Sequence, residues 1–314
     1  MKKLKFFGEV LGLHPFRERM KQAKIALFGE EDVPSSKFGL SSLSQFHPRI
    51  SPKLWRGKAY IPNKVIVSNL VNHNPTPIEA GWSVKKTQVV DFRGGRLTYD
   101  SHNGTDFSIP VGSTVCTAAA GEVVAIFSEF NRGGLKIFID HGAGLMTCYA
   151  HLARPLVKVG DRLKRGAAIA LSGYSGLDAL VSFPFGIPHV HFNTWLNGEP
   201  VDPFPHDGLP SMWLNGALPT PATSDACDFV PSVYKEKQVL DVINNCKTAS
   251  VRKELLAIAP LKKQAVQTII QMNYYPTRFK ARYNVYDQAY PRIPCLDLPF
   301  SATDFDGIVF LDQL

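Results

Sequence analysis

"FGIPHVHFNTW", residues 185–195, places two histidines one residue apart within a mostly apolar run. In a β-strand, side chains at positions i and i+2 point to the same face, so His189 and His191 are expected to project together. Val190 and Phe192 then face the opposite side, towards a core. One buried histidine is usually satisfied by hydrogen bonds, whereas two on one face favour a metal site or a catalytic site.

The region around this strand, residues 85–206, reads as many short strands separated by Gly-rich turns. The runs TQVVDF, GLKIFIDH, LMTCYAHL and HVHFNTWL are typical, and no long helical pattern lies between them. This spacing predicts an antiparallel sheet, arranged as a sandwich or an open barrel.

The regions before and after residues 85–206 have different sequence patterns. Residues 1–84 are mixed, with a helix predicted over about 15–29, and residues 207–314 are predicted to be mostly helical from about residue 230. Pro260 is expected to separate two of the C-terminal helices. We therefore expect an α+β protein: a mainly β unit over residues 85–206 with α-helical N- and C-terminal additions.

The composition limits the classes of protein that the chain can represent. Of its 314 residues 45% are hydrophobic and 20% charged, which suits a packed core rather than a disordered chain. The net charge of +8 suits an anionic partner, such as nucleic acid, anionic lipid or a cell-wall polymer, without choosing among them.

Cysteine usage and the N-terminus give weaker signals. The five cysteines include no pair with two-residue spacing and are odd in number, so they predict neither a zinc ribbon nor a complete disulfide framework. Cys116 and Cys148 are interpreted as buried thiols. The basic start of the chain resembles a signal peptide, but Glu9 and Pro15 interrupt its apolar run, so we predict no signal peptide and no membrane-spanning segment.

Histidine positions indicate where chemistry could take place. Four histidines lie beside prolines or in polar loops and are interpreted as ordinary loop residues: His14, His47, His73 and His206. The other five lie in the strand-rich region: His102, His141, His151, His189 and His191.

His102 and Asp106 are four residues apart with Gly104 between them, so they are expected to straddle a turn. Imidazole and carboxylate ligands suit zinc. Together with the later histidine pair, they predict a three-ligand site with one open position, which is typical of catalytic zinc.

Four stretches in order resemble the lysostaphin-type (LytM-like) zinc metalloendopeptidases, which cut peptidoglycan peptides. SHNGTDFSIPVGSTVCTAAAGEVV resembles the first signature of this family, and IDHGAGLMTCYAHL resembles the second. VKVGDRLKRGAAIALSGYSG resembles the connecting hairpin, and GIPHVHFNTWLNGEPVDP resembles the final His-x-His strand. The resemblance covers residues 95–205 and implies an open, barrel- or sandwich-like antiparallel sheet with a duplicated hybrid motif.

Carried over by position, the resemblance implies that His102, Asp106 and His191 bind one Zn²⁺ per chain. It implies that His151 and His189 are catalytic histidines that do not bind the metal, while His141 is interpreted as structural. The implied reaction is amide hydrolysis in peptidoglycan by metal-activated water. The implied partner is peptidoglycan rather than nucleic acid or a membrane, and the implied place of action is the bacterial cell wall, reached by an unknown route that includes delivery as a toxin or a phage-type lysin.

The residues expected to contact substrate are Tyr149, Phe183 and Phe185. The two phenylalanines lie in a loop that is longer and more apolar than is usual for the family, and they either line the substrate groove or pack against the C-terminal helices.

Two other classes of protein stay open: a biotinyl- or lipoyl-type carrier domain, and a non-catalytic wall-binding or regulatory protein with an occluded site. A carrier needs an exposed lysine at a hairpin tip between hydrophobic residues, and no tip that resembles Met-Lys-Met appears in this sequence.

Overall fold

A computed structural model describes residues 7–222 and 229–314 of the chain, so Cys227 and the first six residues lie outside the described part. Within it the α-helices are α1 (Phe7–Leu11), α2 (Phe16–Phe28), α3 (Ser51–Trp55), α4 (Leu177–Leu180), α5 (Glu236–Asn244), α6 (Ala249–Leu256) and α7 (Leu261–Tyr274). The strands are β1 (Lys64–Asn69), β2 (Thr105–Ser108), β3 (Thr114–Cys116), β4 (Gly121–Glu129), β5 (Gly134–Gly142), β6 (Leu145–Pro155), β7 (Arg162–Leu163), β8 (Ala168–Ser172), β9 (His189–Leu196), β10 (Glu199–Val201) and β11 (Gly307–Phe310).

The strands form one sheet in the order β11-β1-β2-β9-β6-β5-β4-β7, with β10 paired to β9, and β8 paired to β3 and β6. All neighbouring pairs are antiparallel except β1 and β11, which are parallel. The predicted mainly antiparallel sheet with helical additions is therefore confirmed. Since β1 and β11 come from outside residues 85–206 and extend the same sheet, the division of the chain into three domains stays a prediction.

One face of the central strands packs into the main hydrophobic core. Val190, Phe192 and Phe107 are fully buried there, as the alternation along β9 predicts. Burying side chains of this size contributes about 1.5–3 kcal/mol each to the free energy of unfolding. The core face therefore determines which residues of β2 and β9 point to the other side.

The C-terminal helices cover a second core. Val239, Val242 and Ile243 of α5 are fully buried and pack with Phe138 and Trp195 of the sheet. The predicted boundary at Pro260 is confirmed because α6 ends at Leu256 and α7 begins at Leu261. The helix predicted over 15–29 is confirmed as α2.

One predicted strand is wrong. TQVVDF, residues 87–92, forms a loop rather than a strand. Its backbone and the side chains around it bond to other loops: the Thr87 N–H donates to Asp100 Oδ1, and Val90 O accepts the His73 N–H. Apolar alternation over so short a run does not distinguish a strand from a half-buried loop.

Cys116 and Cys148 are buried free thiols, as predicted. Burial raises the pKa of Cys116 to about 11 and that of Cys148 to about 12, so neither is a reactive thiolate at neutral pH. Within the described ranges 7–222 and 229–314, no helix has both the length and the apolar character needed to cross a membrane.

Candidate metal centre

Strand pairing places the central carboxylate and imidazole side by side. Asp106 on β2 lies directly opposite His191 on β9, and the next pair in the same ladder joins Phe107 to Val190 in the core. Because Phe107 and Val190 point into the core, Asp106 and His191 point to the other face. His102, in the loop before β2, completes the group.

Three ligand atoms converge at this point. His102 Nε2 lies 3.0 Å from Asp106 Oδ1 and 3.1 Å from His191 Nδ1. His191 Nδ1 lies 2.8 Å from Asp106 Oδ1. All three residues are buried, and they form one of the two groups of possible metal ligands among the described residues.

Hydrogen bonds behind the three residues hold their orientation. His102 Nδ1–H donates to Leu70 O at 2.6 Å, which leaves Nε2 with its lone pair towards the centre. Asn69 Nδ2 donates to Asp106 Oδ2 at 2.9 Å, which leaves Oδ1 facing the histidines. Asn193 Nδ2 lies 3.0 Å from His191 Nε2 and also donates to Asn103 O at 2.9 Å, so a fixed amide borders the outer edge of the His191 ring.

The electrostatics favour the protonation states that a metal requires. Burial alone would raise the pKa of the Asp106 carboxyl, but the adjacent imidazoles of His102, His189 and His191 favour its ionised form and hold that pKa well below its usual range. Burial lowers the pKa of His191. At neutral pH the centre therefore offers an ionised carboxylate and a neutral imidazole, the forms that coordinate a cation.

His151 reaches the same face of the sheet through a β-bulge. Tyr149, two residues earlier on β6, points into the core, and regular alternation would send His151 there as well. The register between β5 and β6 shifts after the pair Ile137–Tyr149, and His151 has a φ of 58°. The extra residue reverses the facing, so the strained left-handed backbone turns the imidazole towards His189.

His151 and His189 are held in matching tautomers. His151 Nδ1 lies 2.7 Å from Ser175 O, and His189 Nδ1 lies 2.8 Å from Ile187 O. A carbonyl oxygen can only accept, so both Nδ1 atoms carry the proton and both Nε2 atoms keep a lone pair. The two rings lie 4.8 Å apart, and His189 Nε2 lies 3.8 Å from Asp106 Oδ1.

The remaining predicted site residues lie elsewhere. Tyr149 is fully buried, and its hydroxyl accepts the Ala118 N–H at 2.8 Å, which leaves it no surface with which to contact a substrate. Phe183 packs against Trp55, with ring centroids 5.5 Å apart, and Phe185 packs against Phe46 at 6.1 Å. Their ring partners thus belong to the N-terminal segment rather than to the C-terminal helices.

A cavity of about 180 Å³ opens beside Asp106, His151 and His189. Its opposite wall is formed by residues 38–47 of the N-terminal segment, including Phe46. A substrate that reaches the histidines through this cavity therefore passes along that segment. The sequence offers no signal for this contact because segments far apart along the chain form it.

His141 lies away from this centre and satisfies both of its ring nitrogens. Nδ1 donates to Ala120 O at 2.9 Å, and Nε2 pairs with Thr147 Oγ1 at 2.7 Å. Its interpretation as a structural residue agrees with these contacts.

The buried histidines predict how the stability of the metal-free protein depends on pH. Burial lowers the pKa of His141 and of His151 from 6.5 to about 4. The unfolded chain therefore binds more protons than the folded one between pH 6.5 and 4. The free energy of unfolding should therefore decrease as the pH is lowered through this window. Each histidine contributes at most about 1.4 kcal/mol per pH unit. Chemical denaturation at a series of pH values checks this, and His141→Gln should flatten the slope; an unchanged slope in that variant would contradict the assignment.

Comparison with known proteins identifies the segment that carries this centre. Residues 100–203 match the profile of Peptidase family M23. The resemblance to lysostaphin-type peptidases is therefore confirmed for this segment, which is a peptidase family M23 domain.

The similar proteins cover the same part of the chain. Peptidoglycan DD-endopeptidase ShyA of Vibrio cholerae is 39% identical over 101 residues, which are 32% of this chain and 22% of the relative. Peptidoglycan DD-endopeptidase ShyB of the same organism is 35% identical over 125 residues, 40% of this chain and 26% of the relative. The solved catalytic domain of lysostaphin from Staphylococcus simulans is 30% identical, with 33% of this chain and 77% of that chain covered and a TM-score of 0.29. This chain thus spans about a quarter of the length of the two curated relatives.

Proposed function

We propose that this protein is a zinc-dependent endopeptidase that hydrolyses amide bonds in the stem peptides or cross-bridges of peptidoglycan. The observation that carries the proposal is the convergence of His102 Nε2, Asp106 Oδ1 and His191 Nδ1 within 3.1 Å of one another. Two further histidines with free Nε2 lone pairs lie beside these atoms. The M23 family match and the DD-endopeptidase relatives support the same reaction.

The donor set fits zinc. Two imidazole nitrogens and one carboxylate oxygen are ligands that Zn²⁺ accepts in catalytic sites, where a fourth position stays open. In tetrahedral coordination with bonds of about 2.0 Å, neighbouring ligand atoms lie about 3.3 Å apart. The observed separations of 2.8–3.1 Å need only a small expansion to accept the ion. His102, Asp106 and His191 would therefore hold one zinc ion.

The metal ligands and the two other histidines, His151 and His189, have different chemical roles. When bound, zinc lowers the pKa of water to about 7 and polarises a carbonyl group. His151 and His189 each present an unprotonated Nε2 that can accept a proton from the attacking water. The histidine that accepts it can then deliver the proton to the leaving amine, and the partner histidine stabilises the charge that develops. The carbonyls of Ser175 and Ile187 hold the Nδ1 proton of each ring, so the proton is gained and released at Nε2.

The substrate proposal depends on charge and on the relatives. The net charge of +8 favours association with an anionic wall polymer, and two relatives are named as peptidoglycan DD-endopeptidases. We propose that the protein acts at the bacterial cell wall, in the periplasm or outside the cell. Phe183 and Phe185 are proposed to border the path of the substrate, since Phe185 contacts Phe46 in the cavity wall.

Residues 38–47 border the cavity that leads to the histidines. This contact favours a second candidate function, a non-catalytic protein that binds the cell wall and whose site is occluded. Digestion of purified sacculi with the metal-free protein, with and without added zinc, separates the two. The enzyme is expected to clear the suspension only when zinc is present, and a chelator should stop it. A protein that binds sacculi and zinc but releases no fragment would be the non-catalytic candidate.

A close backbone approach at Gly104 gives a further prediction. A Cβ atom at this position would lie 2.7 Å from His191 Nε2 and 2.8 Å from Phe192 O. Gly104→Ala is therefore expected to push the His191 ring out of position and to weaken zinc binding about 10–100-fold. Competition with a chromogenic chelator measures the affinity, and the melting temperature of the metal-free variant shows whether the fold survives. Wild-type zinc affinity in a folded variant would contradict the prediction.

A further inference from the structure

A second group of potential metal ligands lies outside the M23 centre. His73 lies in the loop after β1, and Asp202 and His206 follow β10. One ligand atom from each of the three lies within 4.8 Å of the others. This group shares no residue with the centre formed by His102, Asp106 and His191.

The contacts within the group leave ligand atoms facing one another. His73 Nε2 lies 2.7 Å from Asp202 Oδ2, and the rings of His73 and His206 lie 4.6 Å apart. His206 Nδ1–H donates to Phe204 O at 2.8 Å, so Nε2 keeps its lone pair. An ion pair between His73 and Asp202 accounts for two of the three side chains, but it does not account for the placement of His206.

The surrounding structure holds each ligand in place. Asp202 Oδ1 accepts the Phe204 N–H at 3.0 Å, which leaves Oδ2 for the group, and the Asp202 side chain is only 2% exposed. Arg292 Nη2 also donates to Phe204 O, at 2.7 Å, which fixes the carbonyl that orients His206. The His73 N–H donates to Val90 O at 2.8 Å. A backbone carbonyl behind a ligand histidine and a backbone N–H behind a ligand carboxylate are usual around protein metal sites.

We propose that His73, Asp202 and His206 form a second binding site for a divalent transition metal, of which Zn²⁺ is the probe. Two imidazoles and one carboxylate favour zinc and its neighbours over Ca²⁺ or Mg²⁺, which take oxygen ligands. His73 precedes the M23 segment of residues 100–203, whereas Asp202 lies at its end and His206 lies just after it. A metal bound here joins the two ends of the domain and stabilises the folded chain, because the unfolded chain does not hold the three ligands together.

Zinc stoichiometry tests this proposal. Metal-free protein is dialysed against buffered free Zn²⁺, and the bound zinc per chain is measured by mass spectrometry of the metal. The wild type is expected to hold two zinc ions, while His206→Ala and His73→Gln each hold one. The matched control is His14→Ala, which changes a histidine in an exposed loop and should still hold two. A His206→Ala variant that holds as much zinc as the wild type overturns the proposal.

A second measurement keeps this test separate from the M23 centre. In a His191→Ala background, zinc is expected to raise the melting temperature, and the additional change His206→Ala should abolish that rise. His73→Gln keeps an amide that can reach Asp202, so a folded metal-free variant is available if His206→Ala fails to fold. Absence of any zinc-dependent rise in the His191→Ala background overturns the second site, whereas loss of activity alone bears only on the M23 centre.

Discussion

Replacing His191 by alanine is expected to remove one equivalent of zinc from the protein and to abolish hydrolysis of peptidoglycan. His191 Nδ1 lies 2.8 Å from Asp106 Oδ1 and 3.1 Å from His102 Nε2, so its removal leaves two ligands in a site that needs three. The side chain points away from the core, as Val190 and Phe192 carry the packing of β9. The variant should therefore keep its fold while it loses the zinc ion of this centre.

Zinc content by metal analysis and activity on purified sacculi measure the two effects. His141→Gln is the matched control, since His141 is a buried histidine whose contacts are with Ala120 and Thr147 rather than with the centre. The control is expected to keep both zinc and activity. A His191→Ala protein with wild-type zinc content or activity would show that the metal lies elsewhere.

Replacing His189 by alanine is expected to have the opposite profile: zinc stays bound and turnover falls by about 10²–10⁴-fold. His189 Nδ1 is hydrogen-bonded to Ile187 O, and its Nε2 lies 3.8 Å from Asp106 Oδ1, farther away than the ligand atoms of His102 and His191 at 3.0 and 2.8 Å. His151→Ala is expected to behave in the same way, because His151 is held in the same tautomer on the neighbouring strand.

Parallel measurement of zinc and of initial rates separates these roles. If His189→Ala loses as much metal as His191→Ala, the division between ligand and proton-transfer residue is wrong. If either His189→Ala or His151→Ala keeps the full rate, that histidine takes no part in proton transfer.

Part of the metal centre can be predicted from the sequence because it depends on the spacing of residues that are close together in the chain. The alternation along β9 separates the core residues Val190 and Phe192 from the two histidines, and the structure confirms the burial of both core residues. The spacing of His102 and Asp106 around Gly104 predicts a turn, which the structure places immediately before β2. These features depend only on residues that are close in sequence.

Other features depend on contacts that no local pattern encodes. The bulge at His151 reverses the facing of β6, so Tyr149 lies in the core although it is two residues from a residue of the centre. The sequence pattern predicts His73 and His206 to be unrelated loop residues, yet the fold places both of them beside Asp202. The hydrogen-bond acceptor for His102, the backbone oxygen of Leu70, has no side-chain signature at all.

We propose that this chain cuts a peptide bond in peptidoglycan with the centre formed by His102, Asp106 and His191. Mass spectrometry of the muropeptides released from purified sacculi tests it most directly, because it reports both the activity and the bond. We expect zinc-loaded protein to release fragments that have gained one water at an amide bond within the stem peptide or cross-bridge, and His191→Ala to release none. Intact cross-linked muropeptides after digestion with zinc-loaded protein, or the same fragments from His191→Ala, would contradict the claim.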